Sequence, residues 1–323
     1  MTTAIIIDTD PGIDDVVTLA LAARSPELEI VAVTTTYGNA TLARTTRNAR
    51  HVLALAGRSD ILVIPGADRP LVRPLVTAPE THGESGVGHA EPEGEGEGEG
   101  EGEGEAGPPS SSALPAVVEA LHLADAPITL VTLGPLTNLA HALRTDPDLV
   151  VTRVRRHIGM FGSLHERGNT NRWADFNAWC DPEAVAEVFG AELPTEMVGL
   201  DVTRRMTLDR AEVDRLGRSS DPLVRWLADA LRFYVEFHCR QERLDGCVVN
   251  DVLTIGQLLE PHLLDFARFR LKIDTGDGEY RGRTLSDPAG ATIRVALDVD
   301  VTAMRRLLDR VFGHAWDRPV AEE

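Results

Sequence analysis

The sequence has few of the features that mark secreted, thiolate-metal or membrane proteins. Its three cysteines, Cys180, Cys239 and Cys247, are scattered and include no CxxC pair. An odd number without close spacing argues against a disulfide framework and against a zinc site. No stretch approaches the ~18 uninterrupted apolar residues of a membrane helix, and no basic N-terminal region precedes an apolar one. We therefore expect a cytoplasmic protein in a reducing compartment.

Basic residues are outnumbered as well. The chain has 32 Lys and Arg against 51 Asp and Glu, which gives a formal net charge of −19. Eight of these acids lie in an alternating Glu-Gly run at residues 91–105, so the other residues carry −11. Negative charge repels nucleic-acid phosphates and anionic lipid heads, and no compact basic patch offsets it. We expect neither nucleic acid nor a membrane as a partner.

Apolar runs typical of buried strands alternate with segments of helical spacing along most of the chain. Strands are predicted at residues 4–7, 29–36, 61–64, 128–132, 154–158 and 196–200, and helices at 14–23, 40–56, 136–143, 222–242 and 252–259. This alternation predicts an α/β fold with an open, mainly parallel sheet flanked by helices. Residues 269–273 and 293–297 are expected to pair as a hairpin at the sheet edge.

One segment interrupts this rhythm. The Glu-Gly run and the Gly, Pro and Ser residues that follow it cannot bury apolar surface, and their like charges favour an extended chain. Because strands and helices resume afterwards, we predict a single domain over residues 1–323 with a disordered insertion at residues 91–112. A linker between two domains is the alternative.

The strongest chemical signal is the sequence DTDPGIDD at residues 8–15, which places four carboxylates in a predicted strand-to-helix loop. Helix capping by Asp would account for one or two of them. Four carboxylates on a tight turn repel one another unless a cation neutralises them. Oxygen ligands of this kind suit a hard divalent cation, Ca²⁺ or Mg²⁺. The loop therefore predicts a metal site.

This loop resembles the N-terminal signature of the inosine-uridine-preferring nucleoside hydrolase family. The resemblance continues through Asn39, HGESG at 82–86, GPLTN at 134–138, Asn169, Phe176-Asn177, DPEA at 181–184 and Asn250-Asp251. It implies a nucleoside-hydrolase-like fold with one Ca²⁺ at the carboxyl ends of the strands. The implied reaction is calcium-dependent hydrolysis of the N-glycosidic bond of ribonucleosides to free base and ribose. A homodimer or homotetramer is implied too.

The resemblance also implies roles for single residues. The implied calcium ligands are Asp10, Asp15, Asp251 and the backbone carbonyl of Leu133. Asp10 is also the implied general base for a metal-bound water, whose pKa the cation lowers. The residues implied to surround the ribose are Asp14, Asn39, Asn169, Asp175, Asn177 and Asp251, with Met160 packed near the sugar. Taken singly, an Asn at a turn or a Met in a core is ordinary, and it is their co-occurrence that favours a site.

Two positions depart from the family pattern. Asp175 stands where the family usually has Glu, a shortening by one methylene. Asn250 stands where well-studied members have a His that protonates the departing base, and an amide has no titratable proton. We predict His238 as the replacement acid, because it lies one helix before Asn250 in a segment that resembles the family's base-recognising helix. Tyr234, His238 and Gln241 share one face of that predicted helix. A helix histidine with a satisfied hydrogen bond is the equally weighted alternative.

His82 lies in the segment that resembles the family's mobile loop over the base. Gly83 and Gly86 provide the backbone freedom that such a lid requires. We therefore predict that His82 belongs to the substrate site, with a solvent-exposed loop histidine as the alternative.

Two other functions compete with hydrolysis of nucleosides. Asp8-Thr9-Asp10 after a first strand is also typical of haloacid-dehalogenase-like phosphatases, although Asp14, Asp15 and the downstream pattern argue against that class. The departures at Asp175 and Asn250 motivate the second alternative, a catalytically weakened nucleoside- or ribose-binding homologue, and they also fit a hydrolase for a modified nucleoside. The pattern leaves open the choice between purine and pyrimidine bases.

Overall fold

The computed structural model describes residues 2–92 and 114–313. Within these ranges the chain forms eleven strands and thirteen helices. The strands are β1 (Thr3–Thr9), β2 (Leu28–Thr35), β3 (Val63–Pro65), β4 (Ile128–Thr132), β5 (Val154–Gly159), β6 (Thr195–Met197), β7 (Thr207–Asp209), β8 (Gly246–Val248), β9 (Leu264–Ile273), β10 (Thr284–Ser286) and β11 (Ala291–Val299). The helices are α1 (Ile13–Ala23), α2 (Leu42–Leu55), α3 (Pro79–His82), α4 (Ala116–Leu123), α5 (Thr137–Thr145), α6 (Pro147–Arg153), α7 (Phe176–Cys180), α8 (Pro182–Gly190), α9 (Leu200–Thr203), α10 (Arg210–Leu216), α11 (Pro222–Glu242), α12 (Val252–Leu259) and α13 (Val301–Phe312).

Nine strands of the described residues form one sheet in the order β10-β9-β11-β6-β5-β4-β1-β2-β3. From β11 to β3 every neighbouring pair is parallel. β9 runs antiparallel to both β11 and β10. The predicted fold class, an open and mainly parallel sheet flanked by helices, is confirmed. The predicted pairing of β9 with β11 is confirmed too, although β10 takes the edge position next to them.

Most predicted elements lie within a few residues of the observed ones, and α11 and α12 match their predicted bounds. The predicted strand at residues 196–200 is an exception, because β6 ends at Met197 and α9 begins at Leu200. The chain turns at Gly199, and the backbone N–H of Leu200 donates to the carbonyl of Gly162 at 3.0 Å. This long-range contact starts a helix where the local apolar pattern favoured a longer strand.

The sheet is buried on both faces. On β1, Ile5 and Ile7 face a core formed with α1, α2 and α10 to α13, whereas Ile6 faces a second core formed with α4, α5, α6 and α8. All three isoleucines are completely buried. Burial on both sides explains why the parallel strands have continuous apolar runs instead of alternating ones. It leaves the carboxyl edge of the sheet as the place where polar side chains can meet a ligand.

A second, two-stranded sheet positions the last acidic motif. β8 pairs antiparallel with β7, and the backbone N–H of Val249 extends the contact by donating to the carbonyl of Met206 at 2.9 Å. Asn250 and Asp251 follow at once, before α12 begins at Val252. The sequence prediction did not include β7 and β8. Their pairing fixes the positions of Asn250 and Asp251.

Strands of the main sheet come from both described ranges. The predicted insertion at residues 91–112 lies outside the described residues except for its first two positions, so it stays a prediction, as does the single domain over 1–323. Within residues 2–92 and 114–313, we find no helix with the length and apolar character needed to cross a bilayer.

Candidate active site

The acidic loop lies between the end of β1 and the start of α1. Asp15 stabilises that helix start, since its Oδ2 accepts the backbone N–H of Gly12 at 3.0 Å. Its other oxygen accepts Thr9 Oγ1 at 2.6 Å, and Asn39 Nδ2 donates to Oδ2 at 2.9 Å. Burial raises the pKa of Asp15 to about 6, and the neighbouring Asp14 carboxylate adds to the rise. Capping thus explains one of the four carboxylates.

Asp10 is completely buried, and only one of its two carboxylate oxygens accepts a hydrogen bond from the described residues. Its Oδ2 accepts the backbone N–H of Asn39 at 2.8 Å, whereas Oδ1 has no hydrogen-bond partner among the described residues. A Cβ on Gly134 or on Gly38 would overlap this carboxylate, so glycine is required on both sides of it. Burial, and then the charge of Asp15, raise the pKa of Asp10 well above its ordinary value. A buried carboxylate oxygen without a donor requires a proton or a cation.

Three more carboxylates converge beside it. Asp14, Asp15 and Asp251 are buried, and one oxygen of each lies within 4.8 Å of the other two. Burial raises the pKa of Asp251 well above its ordinary value, and the charges of Asp14, Asp15 and Asp10 raise it further. These acids fit a divalent cation, which would neutralise their mutual repulsion. The sequence predicted the same cluster with Asp10 in the place of Asp14.

The fourth predicted ligand, the carbonyl of Leu133, follows β4 at the same edge. It accepts Asn177 Nδ2 at 2.5 Å. The same amide donates to the carbonyl of Met160 at 2.9 Å, and the sulfur of Met160 lies 3.6 Å away. Asn177 therefore links the ends of β4 and β5. A carbonyl oxygen has two lone pairs, so Leu133 still has one free for a ligand.

Asn250 is held in one orientation by two neighbours, Asp14 and Thr203. Its Nδ2 and its backbone N–H donate to Asp14 Oδ2 at 3.0 and 3.2 Å, and its Oδ1 accepts Thr203 Oγ1 at 2.9 Å. The hydroxyl of Tyr234 reaches the same Asp14 oxygen at 3.4 Å. The Asp14 carboxylate can only accept, so it faces the Asn250 Nδ2, and the Thr203 hydroxyl donates to the Asn250 Oδ1. These two partners fix the orientation of the amide.

Asp175 and Asn169 occupy different positions in the site. Both oxygens of Asp175 accept backbone N–H groups at the start of α7, including that of Asn177 at 3.0 Å. Asp175 is buried, and burial raises its pKa to about 6. Asn169 is exposed at the rim. The shorter side chain at position 175 therefore acts as a helix cap in this structure.

The two candidate histidines are both buried. His82 Nδ1 accepts the backbone N–H of Ile13 at 3.1 Å, so its neutral ring has the proton on Nε2. Burial lowers the pKa of His82 to about 4. His82 is therefore packed against the acidic loop and is not an exposed loop residue.

His238 Nδ1 is 2.9 Å from the carbonyl of Tyr234, to which it donates. Burial is the main cause that lowers the pKa of His238; the charges of Glu242 and Asp14 raise it, and that of Arg204 lowers it. The neutral ring therefore offers Nε2 as an acceptor. It could give a proton to a base only from the doubly protonated form, which burial disfavours.

These residues line a cleft with about 760 Å³ of empty space at the carboxyl edge of the sheet. The predicted site residues on its wall are Asp14, Asn39, His82, Leu133, Met160, Asn169, Asp175, Asn177, His238, Asn250 and Asp251. The other two, Asp10 and Asp15, are completely buried and contact Asn39. The structure thus brings all the predicted site residues to one place.

Sequence reasoning missed several residues of the wall. Phe237 and Glu242 lie on α11 beside His238, and the i, i+4 spacing of His238 and Glu242 could have indicated the second of them. Arg204 follows α9, a helix that the sequence analysis did not predict, so no local signal pointed to it. Thr203, which holds Asn250, was missed for the same reason.

Comparison with known proteins identifies one family along nearly the whole chain. The profile of the family described as inosine-uridine preferring nucleoside hydrolase matches residues 5–306. A pyrimidine-specific ribonucleoside hydrolase RihA of an Enterobacter species is 37% identical over 289 residues, which cover 89% of this chain and 88% of that protein. The RihA of Salmonella typhimurium is 35% identical over 319 residues, with 94% and 98% covered.

Solved structures agree with the sequence relatives. A plant nucleoside hydrolase, PpNRh1, has a TM-score of 0.83 at 30% identity, with 97% of this chain and 100% of that one covered. A purine-preferring ribonucleoside hydrolase from Gardnerella vaginalis has a TM-score of 0.83 at 27% identity, with 97% and 99% covered. The phosphatase alternative finds no support in these matches. The chain belongs to the inosine-uridine preferring nucleoside hydrolase family, and it is a hydrolase that cleaves N-glycosidic bonds.

Proposed function

We propose that the protein hydrolyses the N-glycosidic bond of ribonucleosides to free base and ribose in a Ca²⁺-dependent reaction, with Asp10 as the general base. The observation that carries this proposal is the unpartnered Oδ1 of Asp10, a buried carboxylate oxygen among other buried acids at the cleft. A folded protein keeps such a group only where a proton, a cation or a ligand completes it.

The residues that would hold the cation are Asp10, Asp15, Asp251 and the carbonyl of Leu133, with Asp14 beside them. All of them offer oxygen, which favours Ca²⁺ over softer metals. When bound, the cation supplies a lower pKa for water and a positive charge that attracts sugar hydroxyls.

The side chains around the cluster have separate tasks in this reaction. Asp10 Oδ1 accepts the proton of the attacking water, because no group among the described residues donates a hydrogen bond to this oxygen. Asp14, Asn39 and Asn177 bind the ribose hydroxyls and face the positive charge that develops on the sugar. Burial of these groups strengthens each contact, since little water remains to screen it.

A substrate panel tests the proposal. Base and ribose release are measured with uridine, cytidine, inosine and guanosine, with Ca²⁺ and again after chelation. We expect release that chelation abolishes and that added Ca²⁺ restores. The pyrimidine-specific relatives support uridine and cytidine as the preferred pair. Release that survives exhaustive chelation would contradict the metal role, and release from none of the four would contradict the substrate class.

The second candidate is a nucleoside-binding homologue with weakened catalysis, or a hydrolase for a modified nucleoside. Asn250 favours it, because this amide is held between Thr203 and Asp14 and has no titratable proton. If weak leaving-group activation limits turnover, Asn250→His is expected to raise kcat for uridine by about 10-fold or more, a part of the roughly 100-fold or more that a well-placed general acid contributes. Unchanged kcat in an active enzyme would show that position 250 does not limit the reaction. Thr254→Ser on α12 is a control in the same region.

We further propose a cytoplasmic homodimer or homotetramer built from one domain over residues 1–323 with an insertion at 91–112. The scattered cysteines, two of them buried without a disulfide, support a reducing compartment. Light scattering of the purified protein measures the assembly directly.

A further inference from the structure

The departing base has no evident acid among the described residues of the cleft. When the C1′–N bond breaks, its electron pair leaves with the base, and that charge must be neutralised or stabilised. Asn250 is an amide whose Oδ1 and one Nδ2 hydrogen are engaged by Thr203 and Asp14. His238 donates from Nδ1 to a backbone carbonyl, so its neutral ring presents an acceptor. Neither of these two side chains supplies a charged donor, and the Nε2–H of the neutral His82 is an uncharged one.

Among the described residues that line the cleft, Arg204 is the one Lys or Arg. Its side chain is 27% exposed, and its Nη1 lies 3.7 Å from Glu242 Oε2. Its Nη2 donates to the carbonyl of Gly168 at 3.3 Å, and its buried Nε has no hydrogen-bond partner within residues 2–92 and 114–313. A guanidinium has five N–H donors and stays protonated, so these contacts leave donors free.

Arg204 lies at the aromatic wall of the cleft. Glu242, its ion-pair partner, is one helical turn beyond His238 and shares that face of α11 with Tyr234. The His238 ring contacts the rings of Tyr234 and Phe237 with centroids 4.5 and 5.2 Å apart. A planar base packs against such a wall, whereas the acids bind the sugar. The guanidinium is therefore placed beside the base.

We propose that Arg204 is a catalytic residue that donates a hydrogen bond to the departing base and stabilises its negative charge; this inference rests on the proposed hydrolysis. The C1′–N bond breaks with its electron pair on the base, water adds its hydroxyl to C1′, and the water's proton passes to Asp10 and finally to the base. Arg204 keeps its own protons throughout. Oriented donors of this kind act like an oxyanion hole.

The test compares two leaving groups. Uridine has a base that leaves with difficulty, whereas 4-nitrophenyl β-D-ribofuranoside releases a stable anion. For Arg204→Gln we expect kcat/KM for uridine to fall about 100-fold, the effect of losing one oriented donor. For the nitrophenyl riboside we expect a loss of less than about 5-fold, because its anion needs little stabilisation. Arg204→Lys keeps the charge and is expected to retain more uridine activity than Arg204→Gln.

Arg167→Gln is the matched control, because Arg167 lines a pocket that adjoins the cleft and does not line the cleft itself. This variant is expected to change kcat/KM by no more than about 3-fold for either substrate. Equal losses on both substrates in Arg204→Gln would overturn the proposal and leave Arg204 as a brace between α11 and the loop at Gly168. An unchanged kcat/KM for uridine would overturn it too. If the wild-type chain cleaves neither substrate, the proposed function fails first.

Discussion

Asp10→Asn is expected to lower kcat for nucleoside hydrolysis by at least about 1,000-fold, within the upper range for loss of a general base. The amide can still accept the backbone N–H of Asn39, so the loop geometry should persist. What it cannot do is take a proton from water at Oδ1. The expected readout is kcat for uridine at saturating Ca²⁺, with Asp60→Asn, a change of an exposed surface carboxylate, as the matched control.

The same variant separates two roles of Asp10. If Asp10 serves only as a ligand, a large excess of Ca²⁺ should restore kcat, because added cation compensates for a weaker site. If it is the general base, kcat stays low while the site fills, as measured by calorimetric titration with Ca²⁺. Activity within about 10-fold of wild type would exclude Asp10 as the base. Unfolding temperatures of the metal-free proteins show whether the fold is intact, and Asp10→Asn should be the more stable, since one buried charge is gone.

Much of this site could be predicted from the sequence, since the acidic loop follows a predicted strand and the family resemblance implied Leu133 and Met160. Asp10 follows β1, Leu133 follows β4 and Met160 follows β5, and carboxyl ends of parallel strands must meet at one edge. The bounds of α11 could also be predicted, because Asp221 caps its start and a proline occupies its first turn. Local pattern and tertiary position agree in these cases.

The remaining features depend on contacts that no local pattern records. The direction of the Asn250 amide depends on Thr203, which is 47 residues away. Arg204 reaches the cleft because β6 gives way to α9 at a contact with Gly162. Asp175 appeared as a ribose contact by position, but its oxygens cap α7. Asn250 and Arg204 thus take their positions from contacts with distant segments, and the ribose role of Asp175 stays a prediction.

The metal-free protein is expected to lose stability as the pH rises from about 6 to 7.5, and Ca²⁺ is expected to offset that loss. Burial raises the pKa of Asp8 to about 7, and those of Asp10 and Asp251 well above their ordinary values. A carboxyl with a raised pKa in the folded state holds its proton more tightly there than in the unfolded chain. Its contribution to stability is therefore complete below about pH 4 and disappears as the pH rises through the folded-state pKa.

The pH window decides whether this effect can be seen. The buried His82 and His157 have lowered pKa values, about 4 and about 3, so they destabilise the folded state below about pH 6.5 and oppose the carboxyls there. Surface acids with lowered pKa values, such as Asp221, are fully ionised well below neutral pH. Between about pH 6 and 7.5 the carboxyls dominate, and Asp8 alone, whose pKa is about 7, loses roughly 1 kcal/mol there out of roughly 4 kcal/mol over its whole titration.

Urea unfolding at about pH 6.0, 6.5, 7.0 and 7.5, with EDTA or with Ca²⁺ at matched ionic strength, measures the effect. The midpoint in EDTA should fall with pH. In Ca²⁺ it should stay level or rise, because the cation binds the ionised carboxylates, and about 4 kcal/mol follows at 1,000 times its Kd. Histidines and cysteines titrate alike in both series, so the gap between the curves isolates the acidic cluster. Parallel curves would show that these carboxylates bind no Ca²⁺, and the base would then have to work without a cation beside it.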